Sequence, residues 1–79
     1  MKVKVKYFSI IRELLSKEEE IIEIPQKSKI EDLLNLLYSK YPQLMEYSFL
    51  IAKNHTYSKK KEKLNDNDEI ALIPPVSGG

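Results

Sequence analysis

Between Ser28 and Tyr41 the apolar residues Ile30, Leu33, Leu34, Leu37, Tyr38 and Tyr41 recur at helical spacing and form one stripe, the best helix in the chain. Ser28 followed by Glu31 reads as a capping box at its start, and Pro42 stops it. The other strongly patterned segments read as strands. From Met1 to Phe8 the residues Met1, Val3, Val5 and Tyr7 fall on one face, and Lys2, Lys4, Lys6 and Phe8 on the other. Ile21 to Ile24 is a second strand stopped by Pro25, close enough to the first for an antiparallel hairpin. Ser48 to Lys53 is a third. Glu69 to Ile73 is the last, nearly all apolar, as a central strand covered on both faces would be. One helix between two pairs of strands must cross one face of the sheet. A right-handed crossover then sets the first and last strands side by side and parallel in the middle. The pattern predicts an α+β, β-grasp domain over residues 1–73: a mixed sheet of four to five strands with one main helix on one face, followed by a flexible C-terminal tail, 74–79.

The connections are read more coarsely. Ser9 to Leu15 is a short helical turn with Ser9 as its cap, and Glu18-Glu19-Glu20 is a solvated link. Leu44 to Tyr47 is turn-like. Asn54 to Lys63 is a polar, Lys-rich loop or irregular strand, and its lysines 59, 60, 61 and 63 read as a solvated run. Leu64 to Asp68 is a turn rich in Asn and Asp.

Seventy-nine residues make one small domain. Thirteen basic against twelve acidic residues argue against a dedicated nucleic-acid binder. No cysteine is present, so any sulfur chemistry must use sulfur brought from elsewhere. The apolar runs are too short to span a membrane and no leader-like segment stands before the first strand, so the cytoplasm is expected. His55 has no second histidine or cysteine to share a metal with, and no metal site is expected. No nucleophile–base pair, acid–base dyad or phosphate-binding glycine loop can be placed, so catalytic groups must come from partners.

The only two glycines are Gly78 and Gly79, after Pro74-Pro75-Val76-Ser77. A backbone without Cβ atoms can enter a narrow slot, and the Pro-Pro pair stops the sheet and stiffens the exit. Six extended residues reach about 20 Å, at roughly 3.3–3.6 Å each. What such a tail delivers is its carboxyl group. Its pKa near ~3.3–3.7 leaves it an anion, and a poor electrophile, at neutral pH. A partner must activate it, and adenylation by ATP is the usual route. The acyl-adenylate could then take sulfur, or be attacked by an amine; these residues alone leave both open.

Phe8, Arg12-Glu13-Leu14, Asn54, Leu64, the run Asp66 to Ala71 and the ending Pro74-Pro75-Val76-Ser77-Gly78-Gly79 resemble the small, sulfur-carrying subunits of molybdopterin synthase. The resemblance implies the ubiquitin-like form of the β-grasp fold. It implies an activating enzyme that adenylates Gly79 with ATP and magnesium, and a thiocarboxylate formed there. It implies insertion of the tail into a large catalytic subunit, in a heterotetramer of two small and two large chains, to build the dithiolene on a cyclic pyranopterin. Gly79 would carry the sulfur; Gly78, Ser77, Val76, Pro75 and Pro74 would give the tail its clearance and brace. Phe8 is a candidate aromatic anchor and Arg12 a candidate partner for a carboxylate. Tyr57 and Ile73 stand where the family makes apolar partner contacts, and core burial is the competing reading for Phe8 and Ile73. Lys53 departs from the apolar residue usual before Asn54. Two alternatives remain: a ubiquitin-like carrier or modifier serving tRNA or thiamine thiolation or lysine conjugation, and a β-grasp interaction module with an inert tail.

Overall fold

The computed structural model describes residues 1–75; Val76, Ser77, Gly78 and Gly79, on which the tail reading rests, lie outside the described residues. The elements are β1 (Lys2–Tyr7), α1 (Ser9–Leu15), β2 (Glu19–Glu23), α2 (Ile30–Lys40), a 3-10 turn (Pro42–Glu46), β3 (Leu50–Lys53), β4 (Thr56–Tyr57) and β5 (Glu69–Ile73). They build one mixed sheet in the order β2-β1-β5-β3-β4. β1 and β5 lie parallel in the middle, Val5 opposite Ile70 and Tyr7 opposite Leu72. β2 pairs antiparallel with β1, and β3 with β5. This is the β-grasp arrangement expected from one crossover helix.

Alternation in β1 decides the core. Val3, Val5 and Tyr7 are buried with Ile22, Ile51, Ile70 and Leu72, under Ile30, Leu33, Leu34 and Leu37 of α2. Each such side chain contributes roughly 1.5–3 kcal/mol on burial. β5 corrects one expectation. It is central, but only Ile70 and Leu72 are buried; Glu69, Ala71 and Ile73 are half-exposed on a second face that no helix covers.

The caps also differ from expectation. α2 starts at Ile30 with Lys29 as its N-cap. The Lys29 N–H donates to the Asp32 carboxylate at 2.8 Å, while the Ser28 hydroxyl turns back to the Pro25 carbonyl at 2.7 Å. The Ile30 and Glu31 N–H groups donate to the carbonyls of Glu62 (2.9 Å) and Lys60 (2.8 Å). A loop thirty residues away therefore caps the helix. In α1 the cap is Phe8, not Ser9, whose φ is 54°. The helix closes through Ser16 in the left-handed region.

Asn54 and His55 both have positive φ, 51° and 71°, between Lys53 and Thr56, which face one another. Such a two-residue turn matches strand twist, so the expected loop begins as a tight hairpin. Asn54 locks it: its Oδ1 accepts from the Glu69 N–H at 2.9 Å and its Nδ2 donates to Asp68 at 3.0 Å. Asp68, buried, also accepts from the Asn65 N–H at 2.7 Å. The Asn/Asp-rich turn is thus a polar plug that sets the start of β5.

Candidate functional site

On the uncovered face, Ala52 of β3 sits opposite Ala71 of β5 on one side and Tyr57 of β4 on the other. Two small side chains between larger ones leave a hollow. Ala52 and Ala71 lie in it with Phe8, Tyr57 and Ile73, and Lys6, His55 and Glu69 form its polar part, enclosing about 290 Å³. The fold therefore brings Phe8, Tyr57 and Ile73 together, directly where β5 ends and Pro74 leaves the sheet. Neither Phe8 nor Ile73 belongs to the core; Phe8 is 40% and Tyr57 67% exposed. Arg12 is exposed and stands apart, lining a neighbouring depression with Phe8, Glu18 and Glu19.

Leu50 extends this apolar surface and was not singled out by the sequence. It lies opposite Ile73 and is 52% exposed. Strand alternation around the apolar Leu50-Ile51 pair was its only signal. On the polar side, Glu69 holds both Lys6 (3.4 Å) and His55 (3.5 Å). A hollow of this kind, apolar with a charged margin at a strand end, suits docking against another protein surface rather than catalysis.

One further arrangement fixes the end of β1, next to Phe8. Glu20, expected in a solvated link, belongs to β2 opposite Val5, and its side chain is only 12% exposed. Its carboxylate accepts from the Tyr7 hydroxyl at 2.6 Å, the Tyr41 hydroxyl at 2.7 Å and Lys40 Nζ at 2.8 Å, with Lys17 Nζ at 3.3 Å. Burial pushes the Glu20 pKa up, but the donors, Lys40 first and then Tyr7, Tyr41 and Lys17, outweigh it and hold the group down at about 2. Burial first, then the Glu20 hydrogen bond, push the Tyr7 hydroxyl upward, so it stays a donor. The cluster ties β1, β2 and the C-terminal ends of both helices together.

A family model described as the ThiS family matches residues 5–79. A curated relative from Chlamydomonas reinhardtii, named molybdopterin synthase sulfur carrier subunit, is 35% identical over 100% of both chains. The solution structure of small archaeal modifier protein 1 from Methanosarcina acetivorans is 31% identical, covers 99% of this chain and 96% of that one, and has a TM-score of 0.83. A complex of subunits 1 and 2 of the molybdopterin-converting factor from Helicobacter pylori matches at 28% identity, 100% of both chains and a TM-score of 0.74.

Proposed function

This chain belongs to the ThiS family, and on that premise we propose that it is the small, sulfur-carrying subunit of a molybdopterin synthase. The observation that carries the reading is that similarity to a curated carrier subunit runs the whole length of both chains, with the family match reaching Gly79. In this reading the Gly79 carboxylate attacks the α-phosphorus of ATP, with magnesium, on an activating enzyme, and pyrophosphate leaves. A sulfur donor displaces AMP and leaves a thiocarboxylate. A large subunit then receives the tail, and the sulfur passes to a pyranopterin. The need for ATP supports a cytoplasmic location. Docking of the large subunit on the hollow around Ala52 and Ala71 is supported by its position at the root of the tail and by the neighbour solved as a two-subunit complex.

The chemistry is tested by incubating the protein with its activating enzyme, ATP, magnesium and a sulfur donor. Mass spectrometry of the peptide from Leu64 to Gly79 is expected to show one oxygen replaced by sulfur. Sulfur found in any other peptide would defeat the proposal. A second reading, conjugation to lysines, is favoured by the neighbour named as a modifier protein; it is distinguished by isopeptide-linked Gly79 on lysines of other proteins from the native cells.

The docking face has its own test. Phe8→Ala is expected to weaken binding to the large subunit about 5- to 30-fold, on the order of 1–2 kcal/mol for an exposed aromatic anchor. An unchanged dissociation constant from a folded variant would remove Phe8 from the interface.

A further inference from the structure

The lysines divide into two sets. Lys2, Lys4, Lys6, Lys17, Lys40 and Lys53 each lie within 4.0 Å of a glutamate oxygen. Among the described residues, Lys27, Lys29, Lys59, Lys60, Lys61 and Lys63 make no ion pair. All six belong to two loops about thirty residues apart in sequence that the fold presses together. Lys29 and Lys63 form an antiparallel bridge, and the Leu64 N–H donates to the Ser28 carbonyl at 2.9 Å.

These loops lie at the N-terminal end of α2. The second loop's backbone is held by the Ile30 and Glu31 N–H groups, which donate to its carbonyls and so use helix donors that would otherwise be orphans. Two nearby acids sit against the cluster's own backbone and offset part of its charge: Asp32 accepts from the Lys29 N–H, and Glu62 from the Lys59 N–H at 3.2 Å, with Lys53 Nζ 3.5 Å away. Glu31 is the remaining acid of the first helical turn. Stability alone does not explain the arrangement. The N-terminal end of a helix carries partial positive charge and disfavours cations, by roughly 0.3–1 kcal/mol each. Gathering there the lysines that make no ion pair among the described residues disfavours the fold and creates a concentrated positive field.

We propose that these six lysines form a docking surface for an acidic peptide segment of a protein partner, centred on the N-terminal end of α2. α2 runs about 16 Å, at ~1.5 Å per residue, from the cluster to Tyr41, whose ring meets Tyr7 edge-on, beside the end of β5. Lys27 and Lys29 thus lie a helix length from the tail root, whereas Lys59 follows Tyr57 of the hollow by two residues, so a partner held by the lysines meets the rim of the hollow on that side. Nucleic acid is the poorer match. The two loops hold neither arginine nor an aromatic side chain, so they offer no fork for phosphate and no platform for a base. At physiological salt the attraction of the cluster fades within a Debye length of about 8–10 Å, and a net charge of only +1 adds little pull beyond it. That distance suits a short run of carboxylates better than a long polyanion.

The test is titration of the full-length, isotope-labelled protein with synthetic octaglutamate, followed by amide chemical shifts, at salt concentrations of about 0.05 and 0.3 M. The expected result is saturable shifts confined to residues 25–32 and 58–64, weakened at the higher salt. Lys59→Glu/Lys60→Glu is expected to weaken binding more than tenfold, whereas Lys2→Glu/Lys4→Glu, the same change in net charge, alters it less than twofold. Thermal melts confirm that both variants fold. Absence of saturation at low salt, or shifts spread equally over Lys2, Lys4 and Lys40, would overturn the proposal. So would tighter binding of an oligothymidylate of equal charge, which would reassign the surface to nucleic acid.

Discussion

A protein lacking Gly79 is expected to lose sulfur transfer altogether while melting within about 2 °C of the full chain, when a loss of ~1 kcal/mol would already move a domain of this size by ~4–8 °C. The proposed reacting atom belongs to the carboxyl of Gly79. Removing that residue withdraws it by about 3.5 Å, and displacements near ~1 Å can already cost ~100-fold in rate. Adding a residue after Gly79 converts the carboxyl to an amide, which cannot be adenylated, and is expected to be equally inactive. Gly78→Val, which puts a β-branched side chain into a narrow slot, is expected to impair transfer as well. The melting temperature is expected to hold because sheet pairing ends at Ile73 and the buried residue nearest the tail is Leu72. A reconstituted synthase assay beside thermal melts decides the matter. Full activity without Gly79 would end the carrier mechanism.

The frame of the molecule was legible because its signals are local. The alternation from Met1 to Phe8 and the stripe from Ile30 to Leu37 each state which face is buried, and one crossover leaves little freedom in strand order. What escaped was set by distant partners. Ser28 and Ser9 have the right side chains for capping, yet α2 takes its cap from the carbonyls of Lys60 and Glu62, which no local pattern reveals. The Glu18-Glu19-Glu20 run reads as solvent-loving until Glu20 faces Val5 across a strand pair and meets two tyrosine hydroxyls. The Asn54-His55 turn lacks the glycine that would have marked a hairpin. The apolar run of β5 suggested burial on both faces. Instead Ala71 and Ile73 were apolar because that open face holds the hollow. The tail reading rests on the resemblance to carrier subunits and on residues outside those described, and the assembly of Phe8, Tyr57 and Ile73 around the root of the tail needed the fold to bring it into view.

Acid is expected to weaken this domain chiefly through Glu20. Its folded pKa, about 2, lies below the value of 4.5 for a free glutamate side chain. The folded state therefore binds the proton less readily than the unfolded chain does. Its contribution is fully present above pH ~4.5 and is lost as pH falls toward 2, by on the order of 2–3 kcal/mol. Because the carboxylate is mostly buried and takes charge-assisted bonds from Lys40 and Lys17, screening by solvent reduces this less than for a surface pair. Glu20→Gln keeps the shape and removes the charge. Its stability at pH 7 is expected to fall by a similar ~2–3 kcal/mol, and the gap between variant and parent to close as pH drops from 4.5 to 2. Urea unfolding at a series of pH values measures both curves. Curves that run parallel through that window would show that the Tyr7, Tyr41, Lys40 and Lys17 donors do not hold Glu20 ionised, and that acid acts on this fold elsewhere.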